Sequence, residues 1–463
     1  MLTRISLLLI GFVGLVVVLL SSHTSLRDPV KPIPIPPSPQ RSGDAAKGYQ
    51  YLVSGDYVKG GLPYDLFLMG RGKDSTNFLH RTGLNATVGH DFTVVKAPNG
   101  ENLVAPNCLQ CHAQVVNDSL VLGLGNTFID FTQGQQLNAN ALRMMGTMLK
   151  RNAPSKYEAS APFIQVAGTI GPYLGTAVRG VNAADRLAAV LVAHRDPITL
   201  KWSDSALMQL PNEVIPSDVP AWWLLKKKNA MFYNGFGRGD FGRFLMASNL
   251  LTVTDSSEAG QVDRKISDLL SFINKLKAPV YPGKVDTTLA LKGQQIFIDN
   301  CSKCHGKYGA EEEYPNLLIP AAIIKTDEAL FKSNYQYPQF VEWFNRSWFS
   351  MGDHPARLVP FDGYIAPPLD GVWSTAPYLH NGSVPFLEAV LNTKLRPKYW
   401  KRNFANNKYD VNQMSWEFTA VATPGDKQVY NTDLKGYGNQ GHEFGDKLSN
   451  TERRAVLEYL KTL

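Results

Sequence analysis

The chain of 463 residues contains few cysteines, few charged residues and little long hydrophobic sequence. Its four cysteines are too few for a fold held together by many disulfides. Charged residues make up 19% of the chain and hydrophobic residues 44%, which excludes a disordered or coiled-coil protein. The 47 basic and 40 acidic residues give a net charge of +7 without a long basic run, so we expect no nucleic-acid partner.

The one long apolar run lies near the N-terminus, from Ile5 to Leu20, and follows Arg4. This pattern is typical of a secretory signal, and no small-residue cleavage site follows it. We therefore expect export to the periplasmic side, with the segment kept as a single membrane anchor; a cleaved signal and a soluble protein are the alternative. The proline-rich stretch 29–39 predicts a stiff spacer. Residues 1–43 are thus interpreted as anchor and spacer.

The four cysteines form two copies of one motif, with Cys108, Cys111 and His112 in the first and Cys301, Cys304 and His305 in the second. Cys-x-x-Cys-His is the attachment sequence of c-type haem, in which the two thiols bond to the vinyl groups and the histidine binds the iron. The sequence therefore predicts two covalently bound haem c groups with His112 and His305 as axial ligands.

Three other interpretations of the cysteines explain less. A zinc site built from two Cys-x-x-Cys pairs would leave the histidine that follows each pair unexplained. A thioredoxin-like redox pair requires a βαβ context, whereas a helical pattern precedes Cys301. Two disulfides that each close a two-residue gap would constrain very little chain entropy.

Two weak internal repeats predict the domain organisation. KGYQYL at 47–52 resembles KGQQIF at 292–297, and the helical pattern at 264–279 resembles the one that ends the chain at 448–463. We therefore predict a mainly α fold of two cytochrome c-like haem domains, 44–283 and 284–463, with long loop insertions such as 55–107. Ser449 and Glu452 predict a capping box at the start of the last helix.

The function of each haem depends on its second axial position. For the second haem we favour His442, because it lies in a glycine-rich loop just before the last helix; Met414 and His380 are the alternatives. His380 is more readily assigned to a haem propionate or a supporting contact. For the first haem, aromatic side chains could line an apolar distal pocket and nearby arginines could bind propionates: Trp222, Trp223 and Phe236, with Arg238 and Arg243.

The stretches GVWSTAPYLHNGSVPFLEAVL (371–391) and GYGNQGHEFG (436–445), together with the two haem motifs, resemble the dihaem cytochromes of the bacterial cytochrome c peroxidase superfamily. The likeness is greatest to the branch that contains the dihaem rubber oxygenase. This resemblance implies that His442 is the distal ligand of the second haem and that the haem of His112 is the open one. The chain is shorter than the rubber oxygenase after its second motif, so polyisoprene cleavage is not implied.

Two functions follow from these assignments. In the first, the haem of His112 reacts with hydrogen peroxide or dioxygen while the second haem supplies electrons from a partner protein. In the second, both irons are six-coordinate and the protein only carries electrons between partners, with His80, His90 or a methionine as the additional ligand. The resemblance favours the enzyme over the carrier.

Overall fold

The structure is a computed structural model that describes residues 30–132 and 135–463, and Ile33–Leu463 form one compact unit. The predicted signal or anchor, Ile5 to Leu20, lies outside the described residues. Within the described ranges, no helix has both the length and the apolar composition needed to cross a bilayer.

Most long elements of the described chain are α-helices, with short 3-10 turns between them. In chain order, α1 to α15 are Ala45–Ser54, Tyr64–Arg71, Leu109–His112, Gln135–Asn152, Pro154–Ile170, Ala184–Ala193, Phe241–Leu245, Ser256–Lys275, Thr287–Asn300, Ser302–His305, Ala321–Ile324, Ala329–Gln336, Pro338–Arg346, Glu388–Leu391 and Asn450–Leu460. The 3-10 turns are Gly83–Thr87, Gly171–Tyr173, Trp222–Lys227, Met246–Leu251, Trp348–Ser350, Val372–Ser374 and Thr393–Leu395.

The strands are short, and all of their pairings are antiparallel. In chain order, β1 to β15 are Ile33–Pro34, Leu62–Pro63, Phe92–Lys96, Asn102–Pro106, Ala113–Val116, Ser119–Leu122, Gly237–Gly239, Leu317–Pro320, Ala356–Leu358, Gly363–Ile365, Tyr399–Arg402, Tyr409–Asp410, Ser415–Trp416, Phe418–Ala420 and Val429–Asn431. They form three-stranded sheets in the orders β1-β8-β10, β14-β11-β15 and β2-β4-β3, and the pairs β5-β6, β7-β9 and β12-β13.

The prediction of a mainly α fold is wrong. Helical residues account for 40% of the described chain and strand residues for 14%, so the fold mixes helices with several small sheets. The segment 55–107, interpreted as a loop insertion, contains α2 and the sheet β2-β4-β3. The strands were missed because they are short and are held by distant partners, as Ile33 is by Leu318. A strand of two residues is too short to show the alternation of apolar and polar residues by which strands are recognised in a sequence. The division at residue 283 stays a prediction.

Two helix pairs cross at glycines. A Cβ atom added to Gly48 in α1 would lie 1.9 Å from the carbonyl oxygen of Asp268 in α8, and one added to Gly293 in α9 would lie 1.9 Å from that of Ala455 in α15. Ser449 and Glu452 form the predicted capping box of α15, so that prediction is confirmed. Leu52 and Phe297, one turn after these glycines, are buried in the two largest apolar clusters.

We expect Gly293→Ala to lower the free energy of unfolding by about 3 kcal/mol, because the methyl group overlaps the backbone of α15 and forces the helices apart. Denaturant unfolding of the purified protein measures the change. Gly260→Ala is the matched control: Gly260 lies inside α8 with no atom near its missing Cβ, so this change is expected to add about 0.5–1 kcal/mol. Equal stabilities of the two variants would contradict the close crossing.

Candidate metal centre

The second Cys-x-x-Cys-His motif opens onto an apolar cavity of about 220 Å³. Helix α9 continues into the motif, because the Cys301 N–H donates to the Phe297 carbonyl at 2.8 Å and the His305 N–H donates to the Cys301 carbonyl at 3.0 Å. The cavity is lined by Cys301, Cys304 and His305 and by apolar side chains that include Leu124, Val219, Leu224, Phe297, Val372, Leu387, Val456 and Leu460.

A backbone carbonyl orients the ring of His305. Its Nδ1 lies 2.9 Å from the carbonyl oxygen of Pro367, so Nδ1 donates to that oxygen and Nε2 is the nitrogen left for a metal. The Tyr308 hydroxyl fixes the surrounding loop, because it donates to the His305 carbonyl at 2.9 Å and accepts from the Leu369 N–H at 2.6 Å.

His442 lies opposite His305 in this cavity, with the ring centres 6.2 Å apart. A metal–imidazole bond is about 2 Å long and the nitrogen lies about 1 Å from its ring centre, so two imidazoles on opposite sides of one metal have centres roughly 6 Å apart. Burial lowers the pKa of His305 and lowers that of His442 to about 4. Both rings are therefore neutral, which is the form that binds a metal.

Arg396, which the sequence analysis did not identify, holds the loop that carries His442. Its Nη1 donates to the Gly441 carbonyl at 2.7 Å, its Nη2 to the His442 carbonyl at 3.3 Å and its Nε to the Ala389 carbonyl at 2.9 Å. His442 itself has φ 47°, a left-handed conformation that a non-glycine residue adopts only when its surroundings impose it. The hydrogen bonds of Arg396 therefore fix the backbone of the loop that carries His442.

The donor set of the second site fits haem c. Cys301 and Cys304 are free thiols that line the same cavity as the facing imidazoles, and burial raises the pKa of Cys301 to about 11. Within the described ranges, no group of three His, Cys, Asp or Glu side chains converges as a zinc site requires. Two thiols, two opposed neutral imidazoles and apolar walls are what a covalently held, hydrophobic macrocycle needs.

The other side chains proposed for the second haem occupy different places. His380 lines the cavity, but its ring is stacked on Tyr364 with the centres 4.0 Å apart, and its buried Nε2 has no hydrogen-bond partner among the described residues. Burial lowers the pKa of His380 to about 3, so it is neutral. Met414 is buried but does not belong to the described residues that line the cavity.

The first motif has similar chemistry in different surroundings. The ring of His112 is stacked on Trp222, with the centres 4.3 Å apart, and its buried Nδ1 has no hydrogen-bond partner in the part of the chain that the structure describes. Burial lowers the pKa of His112 to about 3. Asn182 Nδ2 lies 3.6 Å from the sulfur of Cys111. Cys108, Cys111 and His112 therefore fit a site in which a buried imidazole binds a metal beside two thiols. The ring that contacts this imidazole is the indole of Trp222.

The three aromatic residues proposed for the first distal pocket separate in the structure. Trp222 contacts His112, whereas Trp223 points the other way and donates from Nε1 to the Asp370 carbonyl at 2.8 Å. Phe236 shares the apolar cluster of Trp222 and also lines a smaller cavity of about 80 Å³.

The two arginines proposed as propionate ligands do not line the larger cavity. Arg243 pairs with Asp263 at 3.2 Å and lies over the ring of Trp348. Arg238 belongs to β7, and its buried Nη1 has no hydrogen-bond partner within the described ranges.

A structural repeat that the sequence analysis missed follows each site. The turn that begins at Met231 pairs Met231 with Gly237, and the turn that begins at Tyr378 pairs Tyr378 with Val384 in the same way. The second residue of each turn is left-handed, with φ 67° at Phe232 and 68° at Leu379. Both turns also contain a buried asparagine followed by a left-handed glycine, Asn234-Gly235 and Asn381-Gly382, so this Asn-Gly pair is the sequence signal that could have revealed the repeat.

Comparisons with known proteins agree with this geometry in part. Residues 363–401 match a family model described as RoxA-like, cytochrome c-like; a cytochrome c-like domain implies haem c. An uncharacterized protein, y4iM, of Sinorhizobium fredii is 26% identical over 298 residues, which cover 56% of this chain and 68% of that protein. A second uncharacterized protein of the same bacterium, y4iJ, is 29% identical over 256 residues, covering 41% of each chain.

Proposed function

We propose that the chain is an exported c-type redox protein that binds two haem c groups and transfers electrons through the second one. The RoxA-like, cytochrome c-like match supports the c-type cytochrome. The observation that carries the rest is the pair of neutral imidazoles of His305 and His442, which face each other across a cavity that both cysteines of the second motif line. A haem c bound there would supply one-electron iron chemistry.

The second site is proposed to serve electron transfer alone. His305 and His442 would both hold a haem bound there, so that haem would supply electron transfer and would leave no free position for a small oxidant. The Pro367 carbonyl orients the ring of His305 and Arg396 fixes the backbone of the His442 loop, and a site that does not rearrange suits rapid electron transfer.

A short route is proposed to connect the two sites. The ring of His112 is stacked on Trp222; the next residue, Trp223, donates to the Asp370 carbonyl at 2.8 Å. Three residues before Asp370, the Pro367 carbonyl accepts from His305 Nδ1. Aromatic rings, two hydrogen bonds and four peptide units, one between Trp222 and Trp223 and three between Pro367 and Asp370, therefore link the two proximal histidines.

Peroxide or dioxygen chemistry at the first site is part of the proposal. In the described chain, the ring of His112 pairs with the indole of Trp222 and with no second imidazole, whereas His305 and His442 at the second site pair with each other edge to face. An electron-donor protein is the proposed macromolecular partner.

The second candidate function is a protein that only carries electrons, with both irons six-coordinate. It is favoured by Met246, a buried methionine in the same apolar cluster as Trp222 that could complete six-coordination.

Paramagnetic resonance of the oxidised protein and carbon monoxide titration of the reduced protein test the proposal. We expect one low-spin and one high-spin iron per chain, with carbon monoxide bound at one iron. Two low-spin irons that bind no carbon monoxide would support the carrier. A purified protein without covalent haem would exclude both candidates.

A further inference from the structure

One lysine of the run 226–228 is buried in the wall of the second site. Lys228 lines the cavity that also contains His305 and His442, and it is only 8% exposed. Its two neighbours in sequence lie elsewhere: Lys226 is exposed, and Lys227 forms ion pairs with Asp370 and Glu312. Only the third lysine of the run is directed into the apolar interior.

Lys228 has no anionic partner among the described residues. No carboxylate forms an ion pair with it, and burial lowers the pKa of its ammonium group to about 8. A buried charge without a partner is costly, typically by several kcal/mol. Such a lysine persists where the complete site supplies an anion or where the group can lose its proton.

The carboxylates that line the same cavity are already bound to other groups. Asp218 accepts a hydrogen bond from the Tyr233 hydroxyl at 2.9 Å, and Asp370 pairs with Lys227 at 2.6 Å. Asp370 Oδ2 has no hydrogen-bond partner among the described residues, but neither carboxylate forms an ion pair with Lys228. An anion that occupies the cavity would supply the partner that the described residues do not.

We propose that Lys228 binds a propionate carboxylate of the haem c in the second site. This inference rests on the proposed function, because it requires a haem at Cys301 and Cys304. The propionates are the carboxylates of that group, and an ammonium ion in an apolar wall forms a strong charge-assisted hydrogen bond to such an anion. Arg238 and Arg243, which were predicted to bind propionates of the first haem, do not line this cavity.

The pairing has a measurable electrostatic consequence. A positive charge close to the iron favours the reduced state, because the added electron is attracted to it. Lys228 is thus a positioning residue that holds the macrocycle and raises its reduction potential. A residue that merely filled space would leave the potential unchanged when replaced by a side chain of similar size.

Spectroelectrochemical titration of the holoprotein tests the proposal with four variants. Lys228→Met and Lys228→Gln are expected to lower the equilibrium constant for reduction of the low-spin haem about tenfold, which is 59 mV for one electron. Lys228→Arg keeps the cation and Lys226→Met removes an exposed one, so both are expected to stay within twofold of the unmodified protein.

Infrared difference spectra between the oxidised and reduced forms provide a second measurement. If the unpaired propionate of Lys228→Met takes up a proton, both charges of the pair are lost together, the potential changes less, and a carboxylic acid band appears that is absent from the unmodified protein and from Lys228→Arg. An unchanged potential and no new band in both Lys228→Met and Lys228→Gln would overturn the pairing. Absence of covalent haem from the unmodified second site would instead refute the proposed function.

Discussion

Replacement of both Cys301 and Cys304 by serine is expected to remove about half of the covalently bound haem. A serine hydroxyl does not form the thioether bond to a vinyl group, and His305 and His442 alone would hold a haem that dissociates. The haem content per chain, measured as the pyridine complex after extraction with acidified acetone, should fall from two to one. The remaining haem should be the high-spin one.

The matched control is the same change at the first motif, Cys108→Ser with Cys111→Ser. It should also remove one haem, but the haem that remains should be low-spin, because His305 and His442 are intact. Loss of the same spectroscopic species in both double variants would contradict the assignment of one haem to each motif. A full haem content after either change would contradict covalent attachment at that motif.

His442→Ala is expected to convert the low-spin iron of the second site to a high-spin iron that binds carbon monoxide. The facing ring centres, 6.2 Å apart, leave room for one metal between them, so removal of one ring opens one axial position. Paramagnetic resonance of the oxidised protein and carbon monoxide binding to the reduced protein measure the change. His442→Met should restore a low-spin iron with a more positive potential, since methionine in place of histidine raises it.

His380→Ala is the control for His442→Ala. His380 lines the same cavity and is also buried, but its ring is stacked on Tyr364, so its loss should leave the second iron low-spin. A low-spin second iron in His442→Ala, or a high-spin one in His380→Ala, would show that the distal ligand has been misassigned.

The chemistry of the site could be predicted from sequence where it is encoded by adjacent residues. Each Cys-x-x-Cys-His motif specifies its own function within five positions, and the capping box of α15 is equally local. His442 could be chosen because glycines on both sides allow a loop to approach a flat cofactor. The structure places it in the same cavity as His305, with the ring centres 6.2 Å apart.

Features that depend on distant residues could not be predicted. The strands of two to five residues are stabilised by partners far away, as Gly237–Gly239 is by Ala356–Leu358, and the mainly α prediction was wrong for this reason. Pro367 and Arg396 support the two imidazoles through backbone carbonyls, which leave no sequence signature. Lys228 is identical in type to two neighbouring lysines, and only the tertiary structure distinguishes it from exposed Lys226 and ion-paired Lys227.

The wall of the second cavity includes Val219, Leu224 and Lys228, which come from the chain well before the second motif. A haem attached at Cys301 and Cys304 would therefore be fully enclosed only when both parts of the polypeptide are present. Fragments cut near residue 283 would each lack part of that enclosure.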